Sequence, residues 1–117
     1  MTRSALKKQF DAKIKKAVAR LAKYYDPEKI ILYGSVAHGD FNEDSDIDLL
    51  IIKKGVDKVR PHQRVYQVLV KLRDIYGIEP RVYSPEEVSD VPKWMFFLRE
   101  ALDEGQTIYE KNKTTIR

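Results

Sequence analysis

The sequence predicts an α+β fold, a small mixed sheet packed with helices. Helix-period apolar stripes alternate with short β-rich runs in the order α-β-loop-β-α-β-α-β. The link between the first two β-rich runs is too short for a crossover helix, so those two strands are expected to run antiparallel. The remaining strands are separated by helices, which makes the sheet mixed. The 117 residues contain no internal repeat, low-complexity segment or linker, and residues 1–117 are read as a single domain.

Each element has a local reason. Ser4 is placed to cap a first helix ending near Tyr25, with Leu6, Phe10, Ile14, Ala17, Val18, Leu21 and Tyr25 on one face. Asp26-Pro27 stops it. Lys29 to Tyr33 reads as a buried strand, Gly34 to Ser45 as a polar loop, and Ile47 to Lys53 as a second strand. Pro61 suits the first turn of a helix with the stripe Val65, Val68, Leu69, Leu72, Ile75 and Tyr76, ended by Gly77. Glu79 to Tyr83 reads as a third strand, at an edge or irregular because Pro80 has no amide hydrogen to donate. Ser84-Pro85-Glu86-Glu87 is a capping box. A last helix is expected from Pro92 to Glu104, with Trp94, Phe97, Leu98, Ala101 and Leu102 inward and Gly105 as its stop. Thr107 to Tyr109 adds a short strand.

Hydrophobic residues make up 43% of the chain, enough for a core. There is no cysteine, which removes disulfides, thiolate metal sites and cysteine nucleophiles. No uninterrupted apolar stretch, Leu49 to Ile52 included, is long enough to span a bilayer, and the N-terminus lacks a signal-peptide pattern. A cytoplasmic protein without membrane contact is the expectation. Net charge is +4, unevenly spread. Residues 1–30 carry nine Lys/Arg against three Asp/Glu, and residues 31–52 carry five Asp/Glu and no Lys/Arg. An acidic segment inside a basic chain points to a cation, because like charges repel unless one joins them.

Residues 31–52, ILYGSVAHGDFNEDSDIDLLII, carry the chemistry. Gly34 and Gly39 have P-loop spacing, but Asp40 stands where that loop needs Lys. Asp40, Asn42 and Asp44 open like an EF-hand, but Ser45 replaces the turn glycine and Ile51 the bidentate Glu. A third reading survives both tests. Strand alternation puts Asp46 and Asp48 on one face, with Ile47, Leu49 and Ile51 on the other. Two carboxylates aimed at one point suit Mg²⁺. Upstream, Gly34 lets the backbone approach a phosphate, and free amides with the Ser35 hydroxyl meet its oxygens. A phosphate cradle beside a metal strand is a geometry for in-line phosphoryl transfer.

Gly34-Ser35, ten residues, then Asp46-x-Asp48 resembles the nucleotidyltransferase superfamily of DNA polymerase β, and within it the minimal nucleotidyltransferases. The order of helices and strands is similar over nearly the whole chain. The resemblance implies a palm-like nucleotidyltransferase fold using two Mg²⁺ ions and a nucleoside triphosphate, ATP foremost. It implies that Asp46 and Asp48 ligate metal and that Gly34 and Ser35 hold the triphosphate. It further implies transfer of a nucleoside monophosphate to a hydroxyl. The acceptor it suggests is a tyrosine of a HEPN-type helical ribonuclease, in an antitoxin role. The alternative is a catalytically weak antitoxin that acts by binding its partner.

One departure bears on catalysis. The family places a third carboxylate on the next strand. Aligned through Ser84-Pro85-Glu86, Arg81 stands at that place. Glu79 lies two residues earlier on the same strand face and substitutes if the strand shifts or bulges at Pro80. Otherwise Glu79 is a solvated strand start. Both readings stand on the sequence.

The remaining candidates have bland readings. His38 and His62 fall in exposed turns, and Tyr24, Tyr25, Tyr66 and Tyr76 at core edges. Lys7, Lys8, Lys15, Lys16 and Lys23 form a solvated helix face, so nucleic acid is not expected as the main partner. Trp94 through Leu98 cannot all face inward, since successive helical residues point about 100° apart. Some therefore reach the surface, which suggests a protein partner or a homodimer.

Overall fold

The first apolar stripe folds as α1, Arg3–Tyr24, in a computed structural model that describes residues 1–112. Its cap is Thr2 rather than Ser4: the Thr2 hydroxyl accepts from the Ala5 amide at 3.0 Å. The helix therefore starts two residues earlier than the predicted cap implies. The strands are β1 (Lys29–Tyr33), β2 (Ile47–Ile52), β3 (Ile78–Tyr83) and β4 (Gln106–Glu110). Among the described residues they form one sheet in the order β3-β2-β1-β4. β1 runs antiparallel to both β2 and β4, and β2 runs parallel to β3. The expected mixed sheet is present, and β3 with its proline lies at an edge.

Alternation divides the sheet into two faces. Ile30, Leu32, Ile47, Leu49, Ile51, Ile78 and Val82 face α1 and the helix α3 (Pro61–Lys71) in the main core. Ile31, Leu50 and Ile52 face α5 (Phe96–Glu104) and pack with its Leu98 and Ala101. Asp48 shares this second face, and α5 leaves it half-buried. Gly105 follows α5 because a Cβ there would overlap the Ala101 carbonyl oxygen and the Ile31 side chain.

Four sequence expectations need correction. The first five residues of the expected loop from Gly34 to Ser45 form a short helix, α2 (Gly34–His38). Gly39 closes it with a φ of 89°, and its amide donates to the Ser35 carbonyl at 2.9 Å. The helix α3 stops at Lys71 rather than Gly77, so Tyr76 falls outside it, and both Tyr76 and, within α3, Leu69 are exposed. The last helix begins at Phe96, because residues 92–95 turn before it, and a separate helix α4 (Pro85–Ser89) precedes that turn. Trp94, read as core, is 74% exposed, and Phe97 is also exposed. Of the four tyrosines placed at core edges, only Tyr25 is buried.

One buried charge, unmarked by the sequence reading, holds the β3 edge. Arg64 sits on the Val68–Leu72 side of α3 at four-residue spacing and is 3% exposed. Its guanidinium donates to the Val59 carbonyl at 2.7 Å, the Val82 carbonyl at 3.1 Å and the Glu87 carboxylate at 2.7 and 3.0 Å. Glu87 also accepts from the Ser84 amide, and Ser84 Oγ from the Glu87 amide, so the predicted capping box is formed and locked to α3. Arg64 holds the Glu87 carboxyl below its ordinary value through this hydrogen bond.

Removing Arg64 leaves Glu87 and two carbonyls without their donor. Arg64→Leu is expected to cost roughly 2–4 kcal/mol, less than a fully buried pair because Glu87 is partly exposed. Urea unfolding at neutral pH measures this. The pair stabilises above the ordinary Glu value of 4.5 and less as pH falls through the lowered folded value, so the variant's deficit shrinks in acid.

Candidate active site

The site grows from the end of β1. Tyr33 is the last residue of that strand and pairs with Asp48. Gly34 turns the chain with a φ of 78°, a left-handed conformation that favours glycine. A Cβ at Gly34 would overlap the Asp48 carboxylate, so the turn bearing Ser35 lies directly against that acid. Backbone conformation and close approach both demand glycine here.

The loop between α2 and β2 carries Asp46. Phe41 anchors it, buried edge-on against Phe10 of α1 with ring centroids 5.2 Å apart. Arg3 lies over the Phe41 ring at 4.4 Å and donates to the Phe41 and Gly39 carbonyls. Asn42 then folds the turn before the acids: its side-chain oxygen accepts from the Asp44 amide at 2.8 Å, and its own amide donates to Ser45 Oγ at 2.8 Å. Asp46 follows, exposed, one residue before β2 begins.

β3 brings Glu79 beside Asp48 without a shift or bulge. Its parallel register with β2 is regular, and Glu79 is the direct partner of Asp48. Arg81 lies one step further along the same face, opposite Leu50. Its guanidinium stacks 4.5 Å from the centre of the Phe97 ring on α5. Both open readings of β3 thus meet on one face, with Glu79 beside Asp48 and Arg81 next in line.

The electrostatics report that proximity. The Asp48 carboxyl is pushed up to about 6, first by desolvation, then by the charges of Glu79 and Asp46, with Arg81 opposing. Burial pushes the Tyr33 hydroxyl up; Arg81 pulls it back, and Asp48 and Glu79 raise it further. Asp48 and Glu79 side by side, with Asp46 close enough for its charge to act on Asp48, are a hard oxygen donor set whose mutual repulsion a divalent cation relieves. By that chemistry the residues present fit Mg²⁺.

Two other features border this face. His38, Glu100 and Glu104 are exposed, and their potential ligand atoms lie within 4.8 Å of one another, a tighter grouping than the strand carboxylates make. A cleft of about 160 Å³ lined by Tyr33, Gly34, His38, Phe97 and Glu100 opens beside Gly34. A larger cavity of about 430 Å³ lies behind α2, against α1, and its lining includes none of Asp46, Asp48 and Glu79. His62 is exposed, as expected. Sequence reasoning missed Tyr33 as a neighbour of the acids; its place immediately before Gly34, with side chains alternating along β1, was the available signal.

The chain is similar to known proteins. A family model described as "Polymerase beta, Nucleotidyltransferase" matches residues 13–114. Two proteins of Methanocaldococcus jannaschii, each named "Putative protein adenylyltransferase", are similar in sequence. One is 40% identical over 84 residues, 70% of this chain and 78% of that protein. The other is 33% identical over 59 residues, 49% of this chain and 60% of that protein. A crystal structure described as a "putative nucleotidyltransferase" from Sulfolobus solfataricus superposes with a TM-score of 0.74 at 21% identity. That match covers 97% of this chain and 92% of that one, and speaks to the fold.

Two outcomes follow from the crowding at Asp48. Its carboxyl releases its proton near pH 6 when folded and near 3.8 when unfolded, so between those values the folded state binds more protons. Stability therefore falls as pH rises through this window, and the cost is fully present above about 6. In chelator, Asp48→Asn is expected to melt higher than the parent chain at pH 7.5 and to lose that advantage near pH 4, as thermal melts at the two pH values will show. Gly34→Ala is expected to cost about 1–3 kcal/mol from the left-handed backbone alone, and more from the overlap with Asp48, measured by denaturant unfolding.

Proposed function

Because the chain belongs to the polymerase β nucleotidyltransferase family, we propose that it transfers AMP from ATP to a hydroxyl acceptor. The observation that carries this reading is the side-by-side pairing of Asp48 with Glu79, next to the Gly34-Ser35 turn. Residues 1–117 act as one nucleotidyltransferase domain, working in the cytoplasm. Among the described residues no helix is long and apolar enough to cross a membrane.

Each residue has a role in this reading. The Gly34-Ser35 turn offers backbone amides and the Ser35 hydroxyl to the β- and γ-phosphates. Asp46 and Asp48, with Glu79 beside them, would hold two Mg²⁺ ions. Bound there, the ions would neutralise the triphosphate and favour departure of pyrophosphate. Glu79 takes the proton of the acceptor hydroxyl. The hydroxyl oxygen forms a bond to the α-phosphorus, the bond from that phosphorus to the bridging oxygen breaks, and pyrophosphate leaves with the electron pair. We assign the acceptor to a tyrosine of a HEPN-type helical ribonuclease partner, in keeping with the relatives' name, which makes a protein the modified substrate. Arg81 on the same face favours a second reading, an antitoxin module that binds nucleotide and partner without transfer.

Calorimetry and mass spectrometry separate the two. MgATP is expected to bind, with affinity lost in chelator, and Asp48→Asn should remove most of the benefit of Mg²⁺. Incubation with MgATP and a HEPN-type helical ribonuclease should add one AMP per modified tyrosine. Glu79→Gln should slow that transfer by roughly 10²–10⁴-fold while retaining MgATP binding. Binding without any transfer supports the second reading. Equal affinity with Mg²⁺ and with chelator overturns both.

A further inference from the structure

The two faces of the sheet carry opposite charge. On the main-core face, α1 holds eight Lys/Arg against Asp11 alone, and residues 56–77, which include α3, hold five against two. On the other face, residues 85–104 hold two Lys/Arg against six Asp/Glu. Ordinary surfaces intersperse the two signs. Separation across one sheet instead gives each face a field of its own.

The basic face is continuous from helix to helix. α1 buries Leu6, Phe10, Ile14, Ala17, Val18 and Leu21. Helical spacing then puts Lys8, Lys15, Lys16 and Lys23 on its outer half, and all four are exposed. Arg20 ties α1 to α3, donating to the Lys71 carbonyl at 3.0 Å and to Asp74 at 2.6 Å. Lys16 meets the same carboxylate at 3.1 Å, so two cations neutralise the acid at this seam. Asp11 pairs with Lys7, which leaves Asp57 beside Lys58 as the remaining acid of the two segments. Among the described residues Lys8, Lys15 and Lys23 enter no ion pair.

Flat rings stand among these cations. Tyr24 is 59% exposed, Tyr66 68% and Tyr76 79%. Gln63 and Gln67 flank Tyr66 on the outer face of α3, and both are exposed. Spaced ammonium groups with exposed rings suit a single-stranded polynucleotide, whose phosphates meet the cations and whose unpaired bases stack. The glutamine amides both donate and accept, as does the ribose 2′-hydroxyl that marks RNA. A lipid surface fits less well, because α1 exposes no large aliphatic side chain. Asp48 and Glu79 lie on the other face of the sheet, so phosphates bound here do not pass over them.

We propose that the outer faces of α1 and α3 bind single-stranded RNA, with Lys8, Lys15 and Lys23 on phosphates and Tyr66 stacked on a base. This surface does not depend on the transfer reading above.

A fluorescein-labelled RNA of about 12 nucleotides is the probe, and anisotropy across a KCl series is the readout. Affinity is expected to fall steeply with salt. Lys8→Gln, Lys15→Gln and Lys23→Gln should each lower the slope of log affinity against log salt by about 0.7. Tyr66→Ala should weaken binding about tenfold, and Tyr66→Phe should leave it unchanged, because stacking needs only the ring. Lys93→Gln, which removes the same charge from the α5 face, should change neither affinity nor slope. All these positions are exposed, and circular dichroism checks that each variant is folded. RNA should outcompete DNA of the same sequence, and polyglutamate should not displace it. A slope unmoved by the three lysine substitutions, or Tyr66→Ala binding like the parent chain, overturns the proposal. So does a loss in Lys93→Gln as large as in Lys15→Gln, which makes net charge the cause. DNA competing as well as RNA overturns the assignment to RNA, and displacement by polyglutamate makes the surface one for acidic protein instead.

Discussion

β2 is paired on both sides, antiparallel with β1 and parallel with β3, and that double pairing fixes the side chains of the candidate site. Side chains alternate along a strand, so one register decides a whole face. With Asp48 opposite Tyr33 on one side and Glu79 on the other, the three stand in a row across the sheet. A slip of one residue on either partner would turn Glu79 or Tyr33 into the main core and expose apolar side chains. The core therefore enforces the arrangement: Ile47, Leu49 and Ile51 are each 1% exposed or less. The hydrophobic pattern that holds the fold is the same pattern that gathers the acids.

This gathering has an energetic cost that the chain carries locally. Asp48 is half-buried among like charges, and its raised carboxyl value records the strain. The site is nevertheless placed where the fold tolerates it. Asp46 lies outside the strand, Glu79 is exposed on the edge strand, and α5 stops short of covering the row. The β3 edge in turn depends on Arg64 and Glu87, whose charges are well matched and hydrogen-bonded. One buried pair stabilises the strand that presents an unpaired acid at its other end.

The chain belongs to the polymerase β nucleotidyltransferase family, and the place that the resemblance reserves for a third acid is answered differently by sequence and by structure. Counting back from Ser84 puts Arg81 at that position, whereas strand pairing puts Glu79 next to Asp48. The two answers differ because alignment through a turn fixes sequence distance, while hydrogen-bonded register fixes distance in space. Arg81 remains on the same face, and its charge opposes the rise at Asp48. The departure therefore adds a cation to the row and leaves a carboxylate in place.

The sequence by itself determined what depends on near neighbours in the chain. β1 was legible to the residue, because Lys29 to Tyr33 is a β-rich run bounded by Asp26-Pro27 and Gly34. The antiparallel link, the capping box at Ser84 and the common face of Glu79 and Arg81 followed from spacing and alternation. What only the tertiary structure decided depends on contacts far apart in the chain. Whether the segment after Gly34 coils into α2, where α5 begins, and whether Trp94 is covered are set by packing, since a five-residue helix and one aromatic ring have little preference of their own. Arg64 was silent for the same reason: its partners at Val82 and Glu87 lie 18 and 23 residues away. Above all, the place of Glu79 beside Asp48 is a matter of which strand pairs with which, and in what register. Side chains alternate locally, but hydrogen bonds between strands are made only when the chain has folded.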